Sequence, residues 1–266
     1  NPTAVINMAN VYLQNMTATG VPPVPVSGAD AGGNSGWNIS SATGAAHYWV
    51  GGSGDWNEAS HWSLSSGGIG NACIPTVYDD VYFDANSGFT AGSRTVTINS
   101  GNAYARNIDL TGTVNNPIIN KSSSFNMEIW GDSIILNPAV TFNGLVTPKG
   151  PRPAFLKGNI QGDFDFNIDK SGSSLTILNN FSNAQTNIGL INGAWNASGI
   201  QLSVWQVDNS AATANVFAIN ISNSRITAPF GWRFQGVIAN HSLNAANSSI
   251  TTSDFKAAGM TYDTVN

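Results

Sequence analysis

Residues 163–181 read DFDFNIDKSGSSLTILNNF. Phe164, Phe166 and Ile168 alternate with Asp165, Asn167 and Asp169, and a second apolar run, 175–178, follows a Ser/Gly-rich break. A period of two means a half-buried β-strand, and the break between two such runs means a corner. The same pairing recurs at 125–143 (FNMEIWGDSIILNPAVTFN), 187–205 (NIGLINGAWNASGIQLSVW) and 216–228 (VFAINISNSRITA). From residue 105 onward, strand-like segments return in pairs about every 20 to 25 residues, the length of one solenoid turn.

Working outward, further strands are expected at 4–13, 80–83, 94–98, 105–110, 127–130, 133–136, 202–207, 224–227, 249–252 and 261–265, with almost no segment showing a helical period and caps. The chain is therefore all-β. The turn-length repeat favours a β-solenoid resembling a parallel β-helix. A two-sheet β-sandwich is the alternative, since it explains the alternation equally well. It explains less well the asparagine-rich corners at Asn115–Asn116, Asn179–Asn180 and Asn209, because Asn tolerates left-handed turns and can ladder between turns.

Composition narrows the function classes. Only 9% of the 266 residues are charged, against about 25% typically. With 41% hydrophobic residues, the chain can fill a core, and its surface must be Asn, Ser, Thr and Gly. A net charge of −5 with ten basic residues leaves nothing to neutralise phosphates, which argues against a nucleic-acid partner. No apolar run approaches the roughly 18 residues that cross a bilayer, so no direct membrane insertion is expected. Cys73 has no partner for an intrachain disulfide and reads as a small buried hydrophobe.

Residues 47–86, HYWVGGSGDWNEASHWSLSSGGIGNACIPTVYDDVYFDAN, concentrate Tyr48, Trp49, Trp56, Trp62, Tyr78, Tyr82 and Phe83 among six glycines. Such a segment turns tightly and is pinned by large side chains, as a cap or junction would be. Trp49, Trp56 and Trp62 are expected to be largely buried. The domain reading follows: 1–45 is the end of a preceding module with a Pro/Gly-rich linker (VPPVPVSGADAGGNSG, 21–36), 46–112 is the aromatic/Gly-rich module start with its first strands, and 113–266 carries solenoid rungs cut at the C-terminus.

The pattern YWVGGSGDW…HWS…SGG…IPT…DDVYFDAN, followed by TVTI and ARNIDLTGTVNNPII, resembles a recurrent module of very large bacterial surface proteins. These are repeat-rich adhesins and gliding-motility-type proteins exported by the type IX route, and similar modules occur in phage tail-fibre and appendage proteins. GGNSGWNIS resembles the end of one module, and LNAANSSITTSDFKAAGMTYDTV a later rung. The resemblance is strong over 31–120 and loose afterwards, with Cys73 standing where a small residue is usual. It implies an extracellular structural or adhesive role at a cell or virion surface, with neighbouring modules of the same polypeptide, surface glycans or other surface proteins as partners. It supplies no catalytic residue.

Candidate chemistry is sparse. Asp79, Asp80 and Asp84, with Asp55, have the oxygen donors that Ca²⁺ takes, though not in an EF-hand pattern. No other cofactor is implied. Asp163, Asp165 and Asp169 share one strand face, where they would serve as the carboxylates of a glycan-cleaving enzyme or as a ligand site. Against this, an acidic row is the ordinary solvated side of an amphipathic strand, with Lys157 and Lys170 nearby to compensate. Trp195 and Trp205 lie outside the aromatic cluster and would suit stacking on sugars. His47, His61 and His241 lack metal-ligand spacing, and His61 is expected to pack with the tryptophans. The chain thus reads as a non-enzymatic structural or adhesive segment, with a virion fibre, a lectin-like module and a glycan-cleaving enzyme as alternatives.

Overall fold

The computed structural model describes residues 8–13, 15–19, 24–30, 33–40, 44–122, 124–209, 216–235, 241–257 and 259–266. Among them there is no α-helix; strands alternate with corners throughout, with one short 3₁₀ turn at Ala59–His61. Almost every pairing is parallel, and each strand pairs with segments one turn before and one turn after it. This is a β-solenoid, and the sandwich alternative falls because its sheets would be antiparallel.

One inward column defines the geometry. Ala103, Met127, Val146, Phe166, Ile188, Val207, Trp232 and Phe255 are successive register partners. The intervals are 24, 19, 20, 22, 19, 25 and 23 residues, close to the repeat expected from sequence. A second face stacks His47, Val81, Ile108, Ile134, Leu156 and Ile177. A third begins Val96, Ile119, Phe142 and later runs Phe181, Leu202, Ile226, Ile250. Strands about 4.8 Å apart put each apolar side chain directly on its neighbour, and each is worth roughly 1.5–3 kcal/mol when fully buried.

The ladder starts earlier than residue 105. Ala46–Trp49 pairs with Asp80–Tyr82, which pairs with Asn107–Asp109, so the aromatic segment forms the first turns and the stack runs through residue 112 without interruption. The opposite edge of Ala46–Trp49 is covered by the antiparallel Trp62–Ser63, which acts as the cap foreseen. A sheet edge closed in this way offers no template for stray pairing. Behind it Trp49, Trp56 and Trp62 are each 0% exposed. Trp49 lies edge-on to Trp62 at 5.1 Å and flat on His61 at 4.9 Å. Gly54 is required there, since a Cβ would stand 2.0 Å from the His61 ring.

Sequence reading underestimates the strands. Thr141–Pro148, Ala154–Lys157, Gly231–Phe234 and His241–Asn244 are all paired though their alternation is short or broken by Gly and Pro. The stretch read as an extended linker is also corrected: Val24–Asp30 is the middle strand of a parallel sheet with Met8–Leu13 and Trp37–Ser40. Residues 4–7 of the first expected strand lie outside the described residues. Cys73 is exposed rather than buried, because the loop carrying it runs outside the ladder.

Corners are fixed by backbone fit. Gly193 has φ +91°, and a Cβ on it would stand 2.1 Å from the Lys170 carbonyl oxygen one turn below. Gly193→Ala is therefore expected to cost about 1–2 kcal/mol from the combined φ penalty and clash. An unchanged denaturation midpoint would show that this corner relaxes freely.

Candidate functional site

Polar side chains of the outer surface both close their own corners and tie one turn to the next. Asn196, Asn220 and Asn244 form one register column, and each Oδ1 accepts from the backbone N–H two residues on, turning the corner identically in three turns. Asn143 Nδ2 donates to Asn120 Oδ1 at 2.8 Å, and Asn247 Nδ2 to Asn223 Oδ1 at 3.2 Å. Asn209 is closed off in the same manner, exchanging two bonds with the Gln235 backbone.

The three aspartates proposed for calcium are held by such bonds. Asp79 accepts from the Ala45 and Thr76 N–H groups and from the Thr76 hydroxyl. Asp80 accepts a two-pronged contact from Arg106 and a bond from Asn107 Nδ2 at 2.8 Å. Asp84 closes a local turn onto the Asn86 N–H. Among the described residues no three His, Cys, Asp or Glu side chains converge as a metal-binding group. Asp55 instead lines a shallow polar cleft of about 550 Å³ with Glu58, Thr95, Thr97 and Ser100, and its Oδ1 accepts from Asn57 N–H and Ser100 Oγ.

Asp163, Asp165 and Asp169 do share one outward row, flanking buried Phe164, Phe166 and Ile168. Asp165 Oδ1 accepts from Asn187 N–H and Nδ2 at 2.7 and 2.8 Å. Burial raises its pKa above the ordinary value, with the Asp163 charge adding and the Asn187 bonds opposing. Asp169 accepts from Asn192 Nδ2 one turn above. Six residues of extended chain separate Asp163 from Asp169, roughly 20 Å, too far for an acid–base pair on one glycosidic bond, whereas Asp163 and Asp165 stand roughly 7 Å apart, within the range such pairs use. Lys170 does not compensate this row. It is 0% exposed, and its Nζ donates inward to the carbonyls of Lys149 and Gly131 at 2.7 and 3.3 Å.

The two tryptophans separate. Trp195 is 1% exposed, in the core between Leu175 and Ile219, so the expectation of a sugar platform there is corrected. Trp205 is 41% exposed and lies nearly flat on Phe230, itself 42% exposed, at 4.9 Å and 13°. The Arg233 guanidinium carbon stands 4.3 Å from the Phe230 ring centre. Phe230 thus carries both contacts, the Trp205 ring stacked on it and the guanidinium over its ring. Arg233 Nε donates to Asp254 Oδ2 at 2.7 Å, Nη1 to Gln206 Oε1 at 3.4 Å and Nη2 to the Phe230 carbonyl at 3.1 Å.

Sequence reasoning singles out Trp205 but not Phe230, Arg233 or Asp254, which the structure places around it. The usable signal was the repeat itself. Phe230 follows Trp205 by 25 residues and Asp254 follows Arg233 by 21, one turn in each case, and the Phe230 N–H donates to the Trp205 carbonyl and the Trp232 N–H to the Asp254 carbonyl across those turns. No family model, curated protein or solved structure matches the chain.

Proposed function

We propose that the chain is a non-enzymatic structural and adhesive segment of a large extracellular surface protein, extending a stack of turns and presenting their outer surface to a partner. The observation that carries this reading is the use of outward side chains for bonds between turns along the whole stack, from Asp80–Asn107 through Asn120–Asn143 and Asp165–Asn187 to Asn223–Asn247. Ties of this kind resist shear and local opening without needing a cofactor, and solenoid stability accumulates turn by turn. Asp165 and Asp169 are each tied to an asparagine of the next turn, which supports the non-enzymatic half of the proposal.

Beads coated with the purified chain are expected to hold to glycan-coated or cell-coated glass under flow that removes albumin-coated beads. Equal detachment from every surface would sink the adhesive reading. Release of reducing ends from a polysaccharide, abolished by Asp165→Asn, would sink the non-enzymatic one.

A further inference from the structure

We infer that Trp205, Phe230, Arg233, Gln206 and Asp254 form a binding site for an uncharged pyranose sugar, with Trp205 as the stacking surface. This rests on the adhesive reading above and names the ligand chemistry it would use.

Two large aromatic side chains, Trp205 and Phe230, stand 41% and 42% exposed on a chain that buries Trp49, Trp56, Trp62, Trp195 and Trp232 almost completely. Exposing them forfeits burial energy, so their place at a corner needs a reason beyond folding. The pair is also held in place: the rings stack at 4.9 Å, and the Arg233 guanidinium stands over Phe230. A fixed flat apolar surface suits the C–H face of a pyranose ring and loses little freedom on binding.

Hydroxyl groups at the rim of such a ring need donors and acceptors beside the aromatic face. Gln206 is the next residue to Trp205, and Arg233 joins Gln206 to Asp254. The guanidinium has five N–H donors, and three of them serve Asp254, Gln206 and the Phe230 carbonyl, so two remain for a ligand. The side chains of Arg233 and Asp254 are 25% and 39% exposed. Asp254 and Arg233 balance one another, and Asp208 accepts from Gln206 Nε2 nearby. The rim therefore has no excess of positive charge, which selects neutral sugars over uronic or sulfated ones. Below Trp205 the ladder bulges: Asn183 pairs with Val204 and Asn187 with Gln206, which sets residues 184–186 opposite one tryptophan. Ala184 and Gln185 are exposed there, one small and one polar side chain on the preceding turn.

The test is affinity electrophoresis of the full chain through gels containing glucan, mannan, galactan or xylan, with alginate as the anionic comparison. At least one neutral polysaccharide should retard the protein more than alginate does. Trp205→Ala should weaken that retardation by about tenfold or more, as loss of a central aromatic anchor does, while Trp205→Tyr and Arg233→Lys weaken it less. The thermal midpoint of each Trp205 variant, measured in parallel, should stay near that of the parent because Trp205 is 41% exposed, while the Arg233 variants, at a residue 25% exposed and ion-paired, are compared at equal folded fraction. No retardation by any neutral polysaccharide, or retardation indifferent to both Trp205→Ala and Arg233→Ala, overturns the site. Beads that adhere equally with Trp205→Ala would also overturn the site while leaving the adhesive reading standing. Retardation lost in Trp205→Ala, from a chain whose beads never adhere, upholds the site and removes the adhesive reading instead.

Discussion

Trp62→Ala is expected to destabilise the first turns by about 3–5 kcal/mol, the range for removing a fully buried aromatic side chain. Trp62 is 0% exposed and meets Trp49, Trp56 and Phe83 edge-on at 5.1, 4.8 and 6.2 Å. Its Nε1 donates to the Trp56 carbonyl at 2.7 Å, so the change leaves both a large void and a buried carbonyl without its donor. It also loosens Trp62–Ser63, the strand that covers the outer edge of Ala46–Trp49. In a solenoid each turn is stabilised mainly by its neighbours, so damage at one end stays at that end. Limited proteolysis should then cut first within residues 46–100, while strands from Met127–Ile129 onward keep their protection. A variant that resists protease like the parent, or that unfolds throughout in one step at a lower midpoint, would contradict this account of the cap.

The cap and the Trp205 corner use the same residue type to opposite ends, and burial tells them apart. Trp205→Ala removes a side chain that is already 41% exposed, so it belongs with surface changes, commonly within about 0.5 kcal/mol. Stability and binding therefore report on different tryptophans. A single set of Trp→Ala variants, read by midpoint and by polysaccharide retardation, would separate the two roles in one experiment.

The solenoid was legible in sequence because its cause is local. Phe164, Phe166 and Ile168 alternate with polar residues since one side of the strand faces the core, and the run returns after one turn since the next strand must cover it. The cap was legible for the same reason: Trp49, Trp56 and Trp62 need glycines such as Gly54 around them, where a Cβ would strike His61. What escaped depends on register between turns. Nothing near Trp195 or Trp205 says that the first faces inward and the second out, because a shift of one position reverses the face and the ladder shifts between Asn183 and Asn187. The asparagine column is legible as well: Asn196, Asn220 and Asn244 recur at intervals of 24 residues, the spacing of their turns. Lys170 obeys the same alternation, which places it inside and not on the acidic face. Following Asp165, Asn167 and Asp169 outward, the next position turns in.

That inward lysine makes stability depend on pH in a direction uncommon for a protein. Lys170 is fully buried, and desolvation lowers its pKa from 10.5 to about 8, with the Asp132 charge opposing. Below about pH 8 both folded and unfolded chains hold the proton, and the cost of burying the ammonium is constant. Between about 8 and 10.5 the unfolded chain still holds it and the folded chain has released it, so stability rises with pH. At 1.36 kcal/mol per unit the full window is worth about 3 kcal/mol. Tyr262 acts the other way. Burial raises its pKa from 10.0 to about 12, so from about pH 10 upward the unfolded chain ionises first and stability falls. The readable window is therefore pH 8 to 10, where the denaturation midpoint should climb. In Lys170→Met that climb should vanish, because the titrating group is gone. At pH 7 the substitution removes a buried charge but strips the Lys149 and Gly131 carbonyls of their donor, two effects that oppose one another, so the slope and not the pH 7 midpoint is the diagnostic. An identical climb in parent and variant would assign the pH dependence elsewhere and return Lys170 to a neutral filler of its corner.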